Sequence, residues 1–343
     1  MRKLVYSAVK SLPASRHDAA ILKAVLLPVV FFSIYFSALF VNAYWLFCLL
    51  YSFLGFMIII IFLNLIHEVC HNNLFSSKKM NHAFLLLFDI IGANSFIWKK
   101  RHNRLHHHFT NVMGWDSDIE KSKFLKVHPT DNQKKLSRYQ HWLVFIYPLF
   151  VTNWFLVRDF NDFFSKKTIV RKLGDIPLAE YFKLFFFKLF FIGYLVILPA
   201  FFTPFTLLQT LLALFILLLS AGFFALIVLL PPHVNTSNQF PVVDMENSLD
   251  QSWFMHQLKT TNDVNGYNWF TRHVMANFNF HLAHHLFPDI SHVYAREVTE
   301  VISKYNKQFN LPYRSYPLLQ TLKNHYTLIK MNRSDFNILE EDM

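Results

Sequence analysis

The chain has 343 residues and a formal net charge of +11; 53% of the residues are hydrophobic, 16% are charged and 40 are phenylalanine. This composition is unusual for a soluble globular protein, and it favours one membrane-embedded unit over the two soluble domains that the length would permit. The basic residues flank apolar runs, as in positive-inside loops, so the net charge does not indicate nucleic acid as a partner.

The first apolar region predicts a hairpin of two membrane-spanning helices. Residues 1–23 are basic and are typical of a juxtamembrane segment at an anionic membrane surface. Residues 24–66 contain no Asp, Glu, Lys or Arg, and they are roughly twice as long as the ~20 residues that one span needs. A break near Asn42–Trp45 divides them, so we expect spans at about 24–41 and 45–66.

The second apolar region predicts another hairpin. Residues 189–243 are again free of Asp, Glu, Lys and Arg, and Pro199 and Pro204 bracket a short Phe-rich segment. We place a turn at these prolines, with spans at about 184–202 and 206–230. Like the first hairpin, this one has no charged residue in its turn.

The polar sections, residues 67–183 and 231–343, carry nearly all of the remaining lysines and arginines. The positive-inside rule therefore places both sections and both termini in the cytoplasm. Two shorter apolar stretches within the first section, Ala83–Trp98 and His141–Val157, contain polar residues and predict interfacial or re-entrant helices.

Histidines form three clusters next to the predicted spans, and their spacing predicts a shared metal site. Residues three and four apart share one face of a helix, and neutral imidazole is the commonest protein ligand of transition metals. Eight clustered imidazoles would repel one another if protonated and would need partners if neutral. Metal coordination meets both needs. The clusters are His67 and His71; His102, His106 and His107; and His281, His284 and His285.

Two other metal-dependent functions share part of this pattern. His67-Glu68-x-x-His71 matches the zinc metalloprotease motif, in which two histidines bind zinc and the glutamate acts as a base. A zinc protease needs only one further ligand, which leaves the other clusters unexplained. A metal transporter would place ionisable ligands near the middle of its spans, whereas the predicted spans are almost free of them.

The three clusters resemble the histidine boxes of the integral-membrane fatty acid desaturases, which have the forms HxxxH, HxxxHH and HxxHH in chain order. The flanks agree, since residues 253–261 and the His-His-Leu-Phe-Pro sequence at 284–288 resemble those of bacterial acyl desaturases. The resemblance extends from about residue 24 to 310. It implies one domain over residues 1–343, an all-α integral-membrane fold in which two transmembrane hairpins and interfacial helices support a cytoplasmic cap with the metal site.

The resemblance also implies the cofactor and the reaction. The family holds a di-iron centre mainly through histidines, and His233 occupies the position, just after the last span, where related enzymes supply one more ligand. The implied activity is the O2-dependent introduction of a double bond into a fatty acyl chain, with electrons from a separate ferredoxin or cytochrome b5-type donor. The resemblance to bacterial enzymes implies that the chain lies in a bacterial inner membrane. The implied ligands are His67, His71, His102, His106, His107, His233, His281, His284 and His285.

Departures from the family pattern leave some points open. A third consecutive histidine, His108, makes the ligand register of the second box ambiguous by one residue. His281 stands where front-end desaturases usually have Gln. Related di-iron enzymes hydroxylate lipids, or hydroxylate or ketolate carotenoids, and the boxes do not distinguish these reactions from desaturation. The position of the double bond and the acyl carrier are also undefined.

Polar residues near the boxes are candidates for orienting the ligands, because metal-bound histidines commonly donate their second ring N–H to a carboxylate. We expect one or two of the nearby carboxylates to have this role, and we expect the neighbouring histidines to lie around the centre or to contact substrate. The candidates are Glu68, His108, Asp116, Asp118, Glu120, His256 and His292.

Overall fold

A computed structural model of the chain describes residues 1–116, 118, 126–129, 137–143, 157–244 and 249–333. Four long apolar helices form its membrane-embedded part, as predicted, and are numbered here as the first to fourth spans. The first and third spans begin earlier than predicted, because each helix continues through charged residues at its polar end. The spans are Ser15–Ala38, Tyr44–Cys70, Leu178–Phe202 and Leu207–Leu229.

The second and third spans each contain one π-helical turn. In the second span this turn, Phe62–Ile66, comes immediately before His67. The turn in the third span is Gly193–Ile197. Such turns rotate the residues that follow them and are frequent at functional sites. In the second span the rotated residues are those of the first histidine box.

Small residues let the second and fourth spans approach closely. A Cβ atom on Gly55 would collide with the carbonyl oxygen of Leu217 and lie 3.0 Å from the amide nitrogen of Ala221. The hydroxyl oxygens of Ser52 and Ser220 lie 2.8 Å apart across the same interface. Without a hydrophobic driving force between helices in lipid, such close backbone packing and hydrogen bonding hold spans together.

The stretch that includes Ala83–Trp98 forms two helical arms that meet at 108°. The bend lies near Gly92, whose φ of +100° favours glycine. Asn94 then caps the second arm, its side-chain oxygen accepting the Ile97 N–H at 3.0 Å. The bend directs the second histidine box toward the first. The other predicted interfacial helix, His141–Val157, lies outside the described residues except at its two ends.

Shorter helices surround the histidine-bearing ends of the spans. Two short parallel strands, β1 (Asp263–Val264) and β2 (Ser315–Tyr316), pair with Asp263 opposite Ser315. The α-helices outside the spans are Arg2–Lys10, Lys78–Leu85, Leu87–Ile90, Ser95–Arg101, Gln140–Leu143, Asp159–Phe164, Trp253–Thr260, His281–Leu286, Ala295–Gln308 and Leu318–Met331. Within the described residues, π-helical turns outside the spans include His102–His106 and Phe270–Val274, and 3-10 turns include Ser137–Tyr139, Ile169–Leu173 and His292–Tyr294.

The helix of the third histidine box packs in a separate small apolar core. This core joins the N-terminal helix, the helix Trp253–Thr260 and the helix Ala295–Gln308. The third box is therefore held by packing outside the membrane-embedded core. The buried members are Val5, Leu258, Leu282, Ala283, Leu286, Phe287, Val298 and Ile302.

Candidate metal centre

Eight histidines form two groups of four at the ends of the second and fourth spans. Within each group, one possible ligand atom from every residue lies within 4.8 Å of the others. The first group is His67, His71, His102 and His284, and the second is His106, His233, His281 and His285. The structure thus brings together all eight of these predicted ligands, including His233 from outside the boxes.

The ninth predicted ligand, His107, lies between the two groups. Its Nε2 atom is 3.1 Å from Nε2 of both His102 and His284 in the first group. Its ring centroid is 4.6 Å from that of His285 in the second group. His107 is buried, whereas its neighbour His108 is exposed and lies beside Phe109.

The second and third boxes each divide between the two groups. The second box is a π-helical turn, His102–His106, instead of the α-helix that the spacing predicts. The wider turn brings His102 to His107, five residues on. His106 consequently points to the second group. In the third box His284 joins the first group, while His281 and His285 join the second.

Two aspartates orient histidines of the second box. The Nδ1 atom of His106 lies 3.0 Å from Asp116 Oδ1, and Nδ1 of His102 lies 3.3 Å from Asp118 Oδ2. Asp116 is itself held by backbone N–H groups of Asn111 and Asp118, at 2.8 and 3.0 Å. A carboxylate can only accept at these distances, so each imidazole carries its hydrogen on Nδ1 and directs the lone pair of Nε2 toward its group.

Both aspartates are charged. Burial by itself raises the pKa of Asp116, but the neighbouring His106 holds that pKa below its usual value. Burial also opposes ionisation of Asp118, yet the hydrogen bond from His102 and the charge of Arg101 hold its pKa far below the ordinary range. The site therefore supplies two negative charges beside its neutral imidazoles.

Uncharged acceptors orient two histidines of the second group. Nδ1 of His285 lies 2.9 Å from the side-chain oxygen of Gln257, and Nδ1 of His233 lies 3.5 Å from the Thr260 carbonyl. Both rings therefore carry hydrogen on Nδ1. Their Nε2 atoms nonetheless face each other at 3.1 Å. Two lone pairs at this distance repel unless a cation lies between or beside them.

Burial and crowding disfavour a proton in this position. Burial, followed by the neighbouring imidazoles, holds the pKa of His233, His281 and His285 well below the usual histidine range. Neutral imidazoles with converging lone pairs are the donor set that a transition metal requires. The residues fit two metal ions, one for each group of four, with His107 adjacent to both.

Glu68 and His292, both predicted near the centre, contact each other beside the first group. The Oε2 atom of Glu68 accepts the Ser291 hydroxyl at 2.8 Å and lies 3.2 Å from Nδ1 of His292. This contact ties the first box to the loop after the third box. His256 is buried, with its Nδ1 3.4 Å from the Gln251 amide nitrogen. Glu120 lies outside the described residues.

Several residues that support the centre were not predicted. Gln257 carries no charge, so it was not among the carboxylates and histidines expected to orient ligands. It does lie in the segment, next to His256, that resembles bacterial acyl desaturases. Asn111 donates to the carbonyls of His233 and Gln239 at 2.9 and 3.1 Å, joining the second box to the segment after the fourth span. Asp263 accepts the Leu282 N–H at 2.8 Å and so caps the helix of the third box.

A buried ion network lies behind the second box. Arg101, the residue before His102, contacts Asp162 at 2.5 Å and Asp159 at 3.7 Å, and lies 3.9 Å from Asp118. Lys188 of the third span contacts Asp159 at 2.8 Å. The network connects the carboxylate that orients His102 to a membrane span. Asp159 and Asp162 were not among the predicted site residues.

An apolar cavity extends from the first group into the protein. His67 and His284 of the first group line it, as do Ala295 and Val298 of the helix Ala295–Gln308. Its largely apolar lining lies beside His67 and His284, which suits contact with part of a hydrocarbon chain. Among its lining residues are Leu63, Phe278, Phe287, Ile290, Ala295 and Val298.

The fold and the two histidine groups define a membrane-embedded protein with a candidate metal site beside an apolar cavity. The chain belongs to the fatty acid desaturase family, whose model matches residues 43–317. This confirms the predicted family, the predicted enzyme class and the predicted desaturase activity. The chain is thus an oxidoreductase that acts on fatty acyl chains in a membrane.

Curated relatives are similar over most of this chain. The sn-1 linoleoyl-lipid 6-desaturase of Arthrospira platensis is 27% identical over 76% of this chain and 70% of the relative. The enzyme of the same name from Synechocystis sp. is 27% identical over 74% of this chain and 71% of the relative. The acyl-lipid (8-3)-desaturase of Physcomitrium patens is 27% identical, covering 92% of this chain and 66% of the relative.

Proposed function

We propose that this desaturase uses two non-haem iron ions, held by the nine histidines that converge at the ends of the spans. The observation that carries this proposal is the pair of four-histidine groups with lone pairs directed inward. Zinc would fit imidazole ligands but has no redox chemistry, and removal of hydrogen from an unactivated methylene needs an oxidant. Iron supplies O2 activation and hydrogen abstraction when bound, which no side chain can provide.

The net reaction removes two hydrogens from adjacent acyl carbons. One saturated –CH2–CH2– unit, one O2, two electrons and two protons give –CH=CH– and two waters. An acyl chain in contact with the apolar lining of the cavity would have one such unit beside His67 and His284. Asp116 and Asp118 hold the tautomers of His106 and His102 that leave Nε2 available as a ligand.

The substrate is proposed to be an acyl chain esterified to a membrane lipid. The names of all three relatives reported above describe action on lipid-linked acyl chains. These names give different positions for the new double bond. Its position in the product of this chain therefore has to be determined by analysing that product.

The electron donor is proposed to be a separate ferredoxin or cytochrome b5-type protein that approaches from the cytoplasm. The distribution of Lys and Arg supports a cytoplasmic active site and cytoplasmic termini, with the whole chain acting as one unit in a bacterial inner membrane. A basic surface suits an acidic donor, because complementary charge accelerates association.

Fatty acid methyl ester profiling tests the function directly. Cells expressing the chain with a matching electron donor are compared with cells expressing His284→Ala. We expect a new unsaturated species with the wild type and none with the variant. A hydroxylated or keto product would show that the chain catalyses hydroxylation or ketolation instead of desaturation. An unchanged profile with each class of donor would contradict the proposed function.

A further inference from the structure

Two arginines from different segments lie over the ring of one exposed tyrosine. The guanidinium carbon of Arg296 is 4.4 Å from the Tyr267 ring centroid, and that of Arg272 is 5.3 Å from it. Lys23 of the first span lies within electrostatic range of Arg272. Arg296 forms an ion pair with Glu300, whose Oε1 lies 3.0 Å from the Nε of the arginine. Both of these side chains are about half exposed. An exposed pair of this kind contributes little free energy, so another anion can compete with Glu300 for the arginine.

This basic cluster, Arg272, Arg296 and Tyr267, adjoins the apolar cavity. Arg296 directly follows Ala295, which lines the cavity. On the other side, Asn277 also lines the cavity, and its N–H donates to the Thr271 carbonyl at 2.7 Å. Arg296 is therefore next to a residue that lines the cavity, and Arg272 is next to Thr271, which is hydrogen-bonded to another lining residue.

The same cluster lies at the level where the spans end. Phe270 packs edge-on against Phe224 of the fourth span, with ring centroids 6.3 Å apart. The Val274 carbonyl accepts a hydrogen bond from Asn64 of the second span at 3.1 Å. Trp269, which directly precedes Phe270, is 69% exposed. Exposed tryptophan beside basic residues is typical of the boundary between hydrocarbon and lipid headgroups.

We propose that Arg272 and Arg296, positioned by the Tyr267 ring beside the cavity-lining residues Ala295 and Asn277, bind the phosphodiester of a membrane glycerolipid whose acyl chain reaches the cavity. This proposal rests on the proposed function and narrows its substrate to phosphate-bearing lipids. Planar guanidinium groups bind phosphate through two parallel hydrogen bonds. Packing against one aromatic ring limits the freedom of both side chains before the lipid arrives, which lowers the entropic cost of binding.

A binding measurement tests the proposal independently of catalysis. Iron-loaded protein in detergent is titrated with dihexanoylphosphatidylglycerol, and the dissociation constant is followed by calorimetry. The Arg272→Gln/Arg296→Gln double variant should bind at least about tenfold more weakly, because charge-assisted hydrogen bonds are lost. Lys307→Gln, which removes an exposed cation from the same helix, Ala295–Gln308, should stay within about twofold of wild type. Dihexanoylglycerol, which has the same chains without phosphate, should bind wild type and double variant equally.

The outcomes separate this proposal from the proposed function. Equal phosphatidylglycerol binding by wild type and double variant would overturn the lipid site, even if the cells still form a double bond. An equal loss in Lys307→Gln would also overturn it, by showing a general charge effect. If the double variant loses affinity for hexanoyl-CoA and not for phosphatidylglycerol, the cluster serves a thioester carrier instead. Arg272→Lys/Arg296→Lys keeps the charge and should recover only part of the affinity, and iron content and gel filtration verify that each variant is folded.

Discussion

The side-chain oxygen of Gln257 lies 2.9 Å from Nδ1 of His285, while its amide nitrogen donates to the His107 carbonyl at 3.0 Å. One uncharged side chain therefore sets the tautomer of a third-box histidine and attaches it to the second box. Gln257 is fully buried, so water cannot readily take over either hydrogen bond once the amide is removed.

Gln257→Met should weaken metal retention while keeping a side chain of similar length. Loss of a hydrogen bond to a ligand histidine typically costs about 10–100-fold in metal affinity or activity. We expect a comparable fall in iron per polypeptide after dialysis against a chelator, measured by plasma mass spectrometry. Gln320→Met, at an exposed position, is the matched control. A variant that keeps its full iron content would show that Gln257 does not position His285.

His107 and His108 offer a test of the second-box register. His107 is buried between the two groups, and His108 is exposed. His107→Ala should abolish activity and lower the iron content, whereas His108→Ala should retain most of both. Product yield and iron per polypeptide are measured on the same membrane preparations. The reverse pattern would move the ligand register by one residue.

The spans were predictable because a helix in lipid must satisfy its backbone internally and carry an apolar surface. The ends of the spans were harder to predict, because helices such as Leu178–Phe202 continue through charged residues near the polar boundary. The spacing of the boxes indicated that the histidines converge. The division of His102 and His106 between two groups depends on a π-helical turn, which the expected three- and four-residue spacing does not reveal.

Supporting residues were predictable only where charge and proximity in sequence indicated them. Asp116 and Asp118 follow the second box by a few residues, and both orient its histidines. Gln257 and Asp263 reach the third box from 28 and 19 residues away. Such contacts arise from the packing of the cap, and no local pattern in the sequence predicts them.

Asp263 predicts a pH-dependent difference in stability. Its carboxylate accepts the Leu282 N–H at 2.8 Å and the Tyr313 hydroxyl at 2.9 Å, and burial raises its pKa to about 7. The unfolded chain has the ordinary aspartate pKa, about 3.9, so it ionises first as the pH rises and the folded state loses relative stability up to about pH 7. Asparagine cannot ionise and avoids this loss.

The measurement for Asp263→Asn is the thermal unfolding midpoint in detergent from pH 5 to pH 7.5. The unfolding midpoint of the variant should rise relative to that of the wild type as the pH rises. The corresponding difference in the free energy of unfolding is about 2 kcal/mol or more over this range, since one pKa unit corresponds to about 1.4 kcal/mol. Ser315→Ala, a small polar change at the partner position in β2, controls for general effects. Parallel curves for wild type and Asp263→Asn would contradict the assignment.

Gly55 tests the close contact between the second and fourth spans. In Gly55→Ala the new methyl group meets the Leu217 carbonyl oxygen, and because this neighbour is backbone, the helices have to separate. Overpacking of this kind costs about 1–3 kcal/mol, so we expect a lower unfolding midpoint and a smaller monodisperse fraction by gel filtration. Gly193→Ala is the control, because a Cβ at this helical position meets nothing within 4 Å and alanine favours helix over glycine. If both variants match the wild type, the two spans do not depend on this contact; if only Gly55→Ala is destabilised, the contact holds together the two helices that carry His67 and lead to His233.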